Sequence, residues 1–569
     1  MNKYYFTGLL IASQVLVACS KSGPTAAVLE EPATLIVNAD IVTMNEVQPS
    51  AESMAIRGGR VVAIGTEHDV RQAIGQYDRF FDLSGHTVVP GFIESHDHVY
   101  MASNTFLVED ISPFTTPTLT EALEKLSRVE PDEDGWIVAF GADQTLYEER
   151  LGPTRDLLDP IFPDTPVIVF HLSGHAAYMN SEALRISGID ESTPDPQGGF
   201  YEKDAENRLT GYLAGQPAFL PYKAYPNATL EAAVSGSQRN AMQGITTSSE
   251  FGIMNAFVLE SLREAALDPR YATRIVGAYF STAQDYGEMV PLLKNYETDL
   301  LRIPFVKTWT DGSLQGGTAH LRTGYYDPSM SGADGAQGTQ EYFNEIVLDI
   351  YRRGLWPAIH ANGDAAVDVA LNAVGYAQEQ VGPQVSGAIR PQIIHAQLTW
   401  PEQFERMHEL GVQPTIFASH IYYWADLHYE RTFGPDNIQQ MSAMNDAYSA
   451  GLRPAMHSDA PVAPVDPLLN IWAAVNRTSR GGRVVGANQA ITPHQALAAY
   501  TINAAYQFGM EPNAGSLEPG KYADFVVLDR NPLKVDPEEI RDIRVLATVM
   551  DGRVTFSETP EYDRVQPID

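Results

Sequence analysis

Only one cysteine occurs in the 569 residues, which excludes an internal disulfide framework and every zinc site built on cysteine pairs. Basic residues are scarce as well: 38 Lys+Arg stand against 72 Asp+Glu, a formal charge of −34. Without a basic cluster to neutralise phosphates, a nucleic-acid partner is not expected. The same charge disfavours lying on an anionic membrane face. Long hydrophobic runs are missing too, since nothing beyond the N-terminus approaches the ~18 apolar residues of a spanning helix. Gly520-Lys521 is followed by Tyr522 and so makes no phosphate-binding loop. What remains is 44% apolar and 19% charged, the mix of a well-cored globular chain.

The lone cysteine is Cys19, and its setting carries information. Lys3 supplies a short positive region, Phe6 to Val17 are largely apolar, and Leu16-Val17-Ala18-Cys19 offers the small residues of a cleavage site. The segment resembles a bacterial lipoprotein signal, in which the cysteine is lipidated and becomes the mature N-terminus. On that reading residues 1–18 are a signal peptide, 19–32 a tether, and the protein an exported, membrane-anchored periplasmic lipoprotein. An ordinary secretory signal is the alternative.

Beyond the tether, Thr34 to Met44 and Met54 to Ile64 read as strands, the second folded about Gly58-Gly59. Near the other end Ala523 to Leu528 is a strand candidate, and Val545 to Phe556 a hairpin about Asp551-Gly552. Between them short apolar runs ending in polar or ionisable residues alternate with helix-length segments. The runs are Val88–Glu94, Gly244–Glu250, Arg274–Phe280, Ile303–Trp309, Leu355–His360, Gln392–His395, Val412–Ser419 and Leu452–Ser458. This is an α/β pattern that a (β/α)8 TIM barrel would produce, although a doubly wound open sheet gives the same alternation. The stretch between the first two runs is too long for one helix. It predicts an insert over about 100–240, with strands at Trp136–Ala142 and Pro166–His171.

The chemistry sits at the ends of these runs. In Pro90-Gly91-Phe92-Ile93-Glu94-Ser95-His96-Asp97-His98, residues two apart share one side of a strand, so His96 and His98 can offer two imidazoles to one ion. A surface histidine pair is the bland alternative. His360, His395, Asp459 and Lys307 also lie at or near predicted strand ends, and in a barrel such ends converge on the mouth where active sites form.

Together these motifs resemble the metal-dependent amidohydrolase superfamily, closest to the branch of N-substituted formamide deformylase. The carriers are PGFIESHDH, VKTWTDGS, AIHANGD, IIHAQ, HSDAP and the closing GSLEPGKYADFVVLDRNP. The resemblance implies a barrel over 88–500 with a small β-sandwich made from both chain ends, 33–87 and 501–569. It further implies one or two divalent ions, Zn²⁺ foremost, held by His96, His98, His360, His395 and Asp459. Lys307 matches the position whose amine can be carbamylated to bridge two metals; a structural lysine contacting Asp311 is the alternative. Asp459 is expected to shuttle the proton of the attacking water, with His395 helping to polarise the substrate. The expected substrate is a small molecule with a non-peptide or N-substituted amide bond, and a homodimer is plausible from the resemblance.

His175, in the insert's HLSGHAAYMNS, matches a family histidine that faces substrate; with Trp309 and Asp311 it is expected to contact it. Trp309, Phe417, Tyr422, Tyr423 and Trp424 could form an apolar pocket wall, or simply be core. The chain departs from the family where Gly211-Tyr212-Leu213-Ala214-Gly215-Gln216 lacks a glutamate that relatives often carry, which puts their substrate preference in doubt. A lactonase, carboxylesterase or phosphoesterase on the same metal site, and a non-catalytic lipid-anchored binding protein, are the competing readings.

Overall fold

A computed structural model describes residues 32–559 and 566–567, apart from 106, 197–198, 216–217, 220, 224–228 and 331–334. Cys19 and the signal and tether segments fall outside the described residues, as does Gln216. Eight parallel strands form one curled sheet: Phe92–Ile93, Ile245–Ile253, Arg274–Phe280, Leu301–Trp309, Trp356–Ala361, Gln392–His395, Gln413–Ile416 and Ala455–Met456. Each pairs with the next in chain order. The first and last strands are not ladder partners, yet hydrogen bonds close the seam. Ser95 Oγ donates to the Met456 carbonyl at 2.7 Å, and the Asp459 N–H to the His96 carbonyl at 3.3 Å. The result is a TIM-like barrel.

The strands read as unbroken apolar runs because both faces are covered. All nine residues of Ile245–Ile253 are buried. Helices supply the outer cover through one apolar stripe each. Between the fifth and sixth strands, helix Asp364–Val381 buries Ala366, Val367, Ala370, Leu371, Ala373, Val374 and Ala377, an i, i+3, i+4 pattern, and ends at Gly382. Its neighbour Gln340–Arg352 starts where the Thr339 side chain accepts the Tyr342 N–H.

Two predicted strands are each divided. The run beginning at Val88 splits at Gly91: Thr87–Pro90 joins a terminal sheet, and only Phe92–Ile93 enters the barrel. A Cβ at position 91 would lie 2.2 Å from Thr246 Oγ1, so the crossing between sheets requires glycine. Similarly, Thr34–Met44 breaks at Asn38, whose φ of 52° turns the chain. Ala33–Val37 goes to a five-stranded sheet and Asp40–Val42 to a six-stranded one.

The six-stranded terminal sheet also takes Phe525–Leu528 and the hairpin Val545–Met550 with Arg553–Ser557, so both ends of the chain contribute. Ile36, Met54 and Val61 from one sheet share a core with Ile41, Val88, Phe525 and Val549 from the other. Helix Ile502–Gln507 belongs elsewhere: Ala504 and Ala505 pack with Phe508 against Ile93, Phe251, Phe305 and Ile394 beneath the barrel.

A further six-stranded sheet falls within the stretch between the first two barrel strands, including Ile137–Ala142, Val167–His171 and Ala176–Met179. Its Phe170, Leu172 and Phe219 share a core with Phe417, Trp424 and Val462, which follow the seventh and eighth barrel strands. That contact packs this sheet against the segments that follow the seventh and eighth strands.

Candidate active site

Because parallel strands all end at one rim, residues far apart in sequence meet there. The loop after the first strand brings His96 and His98, the fourth strand Lys307, the fifth His360, the sixth His395, and the turn after the eighth Asp459. All six line one cavity of about 700 Å³.

Asp459 is the hub. Its Oδ1 lies 3.0 Å from His96 Nε2 and 3.6 Å from His98 Nε2, and its Oδ2 lies 3.8 Å from His395 Nδ1. Lys307 Nζ approaches His96 Nε2 at 3.4 Å, and His395 Nε2 sits 3.0 Å from His360 Nδ1. His360 Nε2 is 3.0 Å from the Gly312 carbonyl, which also accepts from the Asn362 amide at 2.7 Å.

These groups are almost fully withdrawn from water, and burial governs their protonation. It drives His96, His360 and His395 well below the ordinary histidine range, reinforced in each case by neighbouring Lys307 and histidines. The rings are neutral and keep a lone pair, as metal ligation demands. Burial also pushes the Lys307 amine down to about 7, against the pull of Asp459. The Asp459 carboxyl moves up to about 6, the burial effect exceeding the opposing pull of His98 and Lys307.

The donor set fits a divalent cation. His96, His395 and Asp459 each offer one ligand atom, all within 4.8 Å of one another. His96 Nε2 faces a carboxylate oxygen and an amine nitrogen at once, and one nitrogen cannot donate to the first while accepting from the second. His395 Nδ1 and His96 Nδ1 are buried with no hydrogen-bond partner among the described residues. Neutral nitrogens and a carboxylate crowded around one point are what a cation neutralises.

With this geometry in view, comparison with known proteins is decisive. The sequence profile of the Amidohydrolase family matches residues 79–556. The chain belongs to the amidohydrolase family. It is similar to the N-substituted formamide deformylase of Arthrobacter pascens, 29% identical over 554 residues, 92% of this chain and 98% of that one. It is also similar to the protein LONG AFTER FAR-RED 3 of Arabidopsis thaliana, 27% identical over 538 residues, 92% of this chain and 91% of its relative. Among solved structures, an uncharacterised metal-dependent hydrolase from Pyrococcus horikoshii superposes with a TM-score of 0.68 at 25% identity, covering 89% of this chain and 99% of its own. The amidohydrolase family is metal-dependent, and this member carries a His/His/Asp cluster where the barrel opens.

The remaining sequence expectations divide. His175 and Trp309 line the cavity, and the His175 ring lies 5.5 Å from that of His360. Asp311 does not. Its oxygens accept the backbone N–H groups of Asn362 and Gly363 at 2.9 Å and of His320 at 3.0 Å. It ties its own loop to residues 362–363, its Oδ1 standing 3.4 Å from His360 Nε2, and Lys307 faces His96 instead of it. Phe417 and Trp424 are core, Tyr422 and Tyr423 pack half-buried against it, and none of the four lines the cavity. The last three fall on helix Ser419–Leu427, where successive side chains fan away from a single face. The apolar wall comes instead from Met101, Phe140, Leu172, Met254, Phe280 and Val462 around Trp309.

Two features were not foreseen. His457 is wholly buried, both ring nitrogens lack a hydrogen-bond partner among the described residues, and its ring packs about 5 Å from those of His96 and His395. The loop under His175 is also organised. His171 Nε2 meets Gln144 Oε1 at 3.1 Å, its Nδ1 meets Ser173 Oγ at 2.9 Å, and that oxygen accepts the His175 N–H at 3.2 Å. The HLSGH spelling, with serine two residues after one histidine and two before the next, was the available signal.

Proposed function

We propose that this chain hydrolyses the C–N bond of a small, uncharged, N-substituted amide. The observation that carries the reading is the meeting of His96, His98, Lys307, His360, His395 and Asp459 on the wall of one cavity. A divalent ion held there, Zn²⁺ foremost, would supply Lewis acidity and lower the pKa of water toward ~7. Lys307, with an amine held near neutrality, is suited to carbamylation, which needs the uncharged amine and yields an anionic oxygen ligand. Asp459 takes the proton of the attacking water and returns it to the departing amine. His360 and His395 stand across the site to orient the carbonyl and meet the charge developing on its oxygen. His175 closes the site from the inserted sheet.

The wall argues for the substrate class. Lys307 is the only Lys or Arg among the described lining residues, and it is committed beside His96. The one carboxylate away from the centre, Asp285, accepts the Tyr279 hydroxyl at 2.6 Å and the Ala256 N–H at 3.0 Å. A substrate carboxylate would find no uncommitted Lys or Arg among the described lining residues, whereas an apolar or aromatic substituent fits against Trp309, Phe280, Phe140 and Leu172.

The same proposal extends to the organisation of the chain. The two terminal sheets act as a β-sandwich that braces the barrel, and Cys19 tethers the exported protein to a membrane. The test is metal analysis of the tail-less protein, followed by a screen of N-formyl and N-acyl amines, N-acyl amino acids, lactones and phosphoesters. Amine release from neutral amides, abolished by chelation and restored by Zn²⁺, is the expected result. Turnover of phosphoesters alone would overturn it.

A further inference from the structure

One buried carboxylate beside the centre has no part in the chemistry above. Glu250 lies near the end of the second barrel strand and has no solvent exposure. Its Oε2 accepts the N–H groups of Tyr100 at 2.7 Å and Met101 at 3.2 Å. Those donors open helix Val99–Thr105, which starts directly after His98. The other oxygen, Oε1, faces His98 Nδ1 at 3.5 Å. Neither of these two buried atoms has a hydrogen-bond partner elsewhere among the described residues.

The backbone holds the pair in register. His98 and Glu250 form an antiparallel bridge, and the Phe251 N–H donates to the Asp97 carbonyl at 3.0 Å. Gly252 then leaves the space they occupy. A Cβ there would stand 2.7 Å from Glu250 Oε1 and 3.0 Å from His98 Nδ1, so any side chain would wedge between the two. His98 turns its other nitrogen, Nε2, toward Asp459 Oδ1 at 3.6 Å.

We infer that Glu250 is the positioning residue of His98, its carboxylate accepting Nδ1–H so that the Nε2 lone pair faces the metal centre, with Gly252 keeping the gap between them clear. An imidazole carries one proton when neutral, and whichever nitrogen is engaged as donor decides which is left to ligate. A carboxylate behind a ligating histidine fixes the ring, selects the tautomer and makes the ligand more basic. Glu250 also anchors the first turn of the helix that follows His98, so one side chain sets both the ring and the chain that carries it. The inference rests on the metal-site reading above.

The experiment measures Zn²⁺ affinity by competition with a chromogenic chelator, independent of any substrate. Full-length Glu250→Gln, His98→Ala and the double variant are compared with wild type, with circular dichroism and Tm of each metal-free protein as the fold control. Glu250→Gln is expected to weaken Zn²⁺ binding by roughly 10–100-fold. In the His98→Ala background the same change should cost less than twofold, because Glu250 then has no ring to orient. Gly252→Ala, which keeps the carboxylate but blocks its approach, should weaken binding about tenfold and serves if Glu250→Gln folds poorly. Wild-type affinity in a folded Glu250→Gln or Gly252→Ala protein overturns the inference, as does an undiminished effect of Glu250→Gln without His98. A chain that binds Zn²⁺ tightly yet releases no amine would refute the proposed reaction and leave this test standing.

Discussion

Replacing Asp459 with asparagine separates proton transfer from metal holding and from backbone strain. Asp459 sits at a φ of 56°, a left-handed conformation in which asparagine is, like aspartate, among the best tolerated residues. The backbone is thus left undisturbed, including the Val462 N–H bonded to the Asp459 carbonyl at 2.8 Å. What changes is one charge and one proton-accepting oxygen, set 3.0 Å from His96 Nε2. Four imidazoles and Lys307 remain around the centre. Loss of a positioned general base costs about 10²–10⁴ in rate, or ~2.7–5.4 kcal/mol at 1.36 kcal/mol per decade. The assay is kcat on a neutral amide, compared at equal metal occupancy verified by elemental analysis. The expected Asp459→Asn protein holds at least one metal equivalent and turns over a hundredfold or more slowly. A rate within tenfold of wild type at full occupancy would refute the assignment of Asp459 as proton shuttle.

Three further outcomes follow from the same structure. Trp309→Ala removes an aromatic wall residue that meets Phe280 edge-on at 4.9 Å; losing about 1.5 kcal/mol of apolar contact should raise KM roughly tenfold for aromatic amides, with little change for formamides of small amines. An unchanged KM would remove Trp309 from the pocket wall. Gly363→Ala places a Cβ 1.9 Å from the His320 carbonyl, next to the Asp311 hydrogen bonds; about 1–3 kcal/mol of overpacking should lower Tm and activity together, and a wild-type Tm would show that the loop yields. The third concerns pH: burial pushes His428 down to about 3, so the folded protein keeps this ring neutral while the unfolded chain protonates it below ~6.5. Its contribution is complete above ~6.5 and is lost as pH falls toward 3, about 2 kcal/mol by pH 5. Urea unfolding of His428→Gln should therefore lose about 2 kcal/mol less than wild type between pH 7 and pH 5, and parallel pH profiles would contradict the neutral ring.

The barrel was legible because its strands are buried on both faces and end abruptly in ionisable residues. Arg274–Phe280 and Gln392–His395 were readable to the residue for that reason. The ligands were legible on the same grounds, since a histidine that closes an apolar run sits where a barrel strand reaches its mouth. What failed were inferences needing direction in space. Tyr422, Tyr423 and Trp424 stood after an apolar run in the sequence, but the helix they belong to turns Trp424 into the core and lays the two tyrosines half-buried against it. Asp311 sat two residues from a genuine pocket residue, and a single loop turn aims it at three backbone donors instead. Glu250 was visible as a charge ending an apolar run. Its partner could not be inferred, because the second strand must first be paired beside the first before His98 and Glu250 face each other.

The backbone of the centre carries a further feature that strand-end position alone does not show. His395, Ala396 and Asp459 all adopt positive φ, at 75°, 45° and 56°. None is a glycine, and such conformations cost about 1–3 kcal/mol each where nothing compensates. Here they follow from the site's demands. The sixth strand must end with the His395 ring turned to meet both His360 and Asp459, and the Ala396 N–H must still reach the Ala361 carbonyl at 3.1 Å. Asp459 must aim its carboxylate inward while its N–H closes the barrel seam onto His96. One residue therefore both joins the ends of the barrel and stands at the centre of the site. Asp459→Gly should relax the turn and remove the carboxylate altogether, whereas Asp459→Asn should preserve the turn and keep one ligand oxygen while losing the charge and the proton acceptor. Both variants lack the charge, so comparing their Zn²⁺ affinities isolates what a side-chain oxygen held by this turn contributes. Equal affinities would mean that a side-chain oxygen presented by this turn has no part in holding the metal.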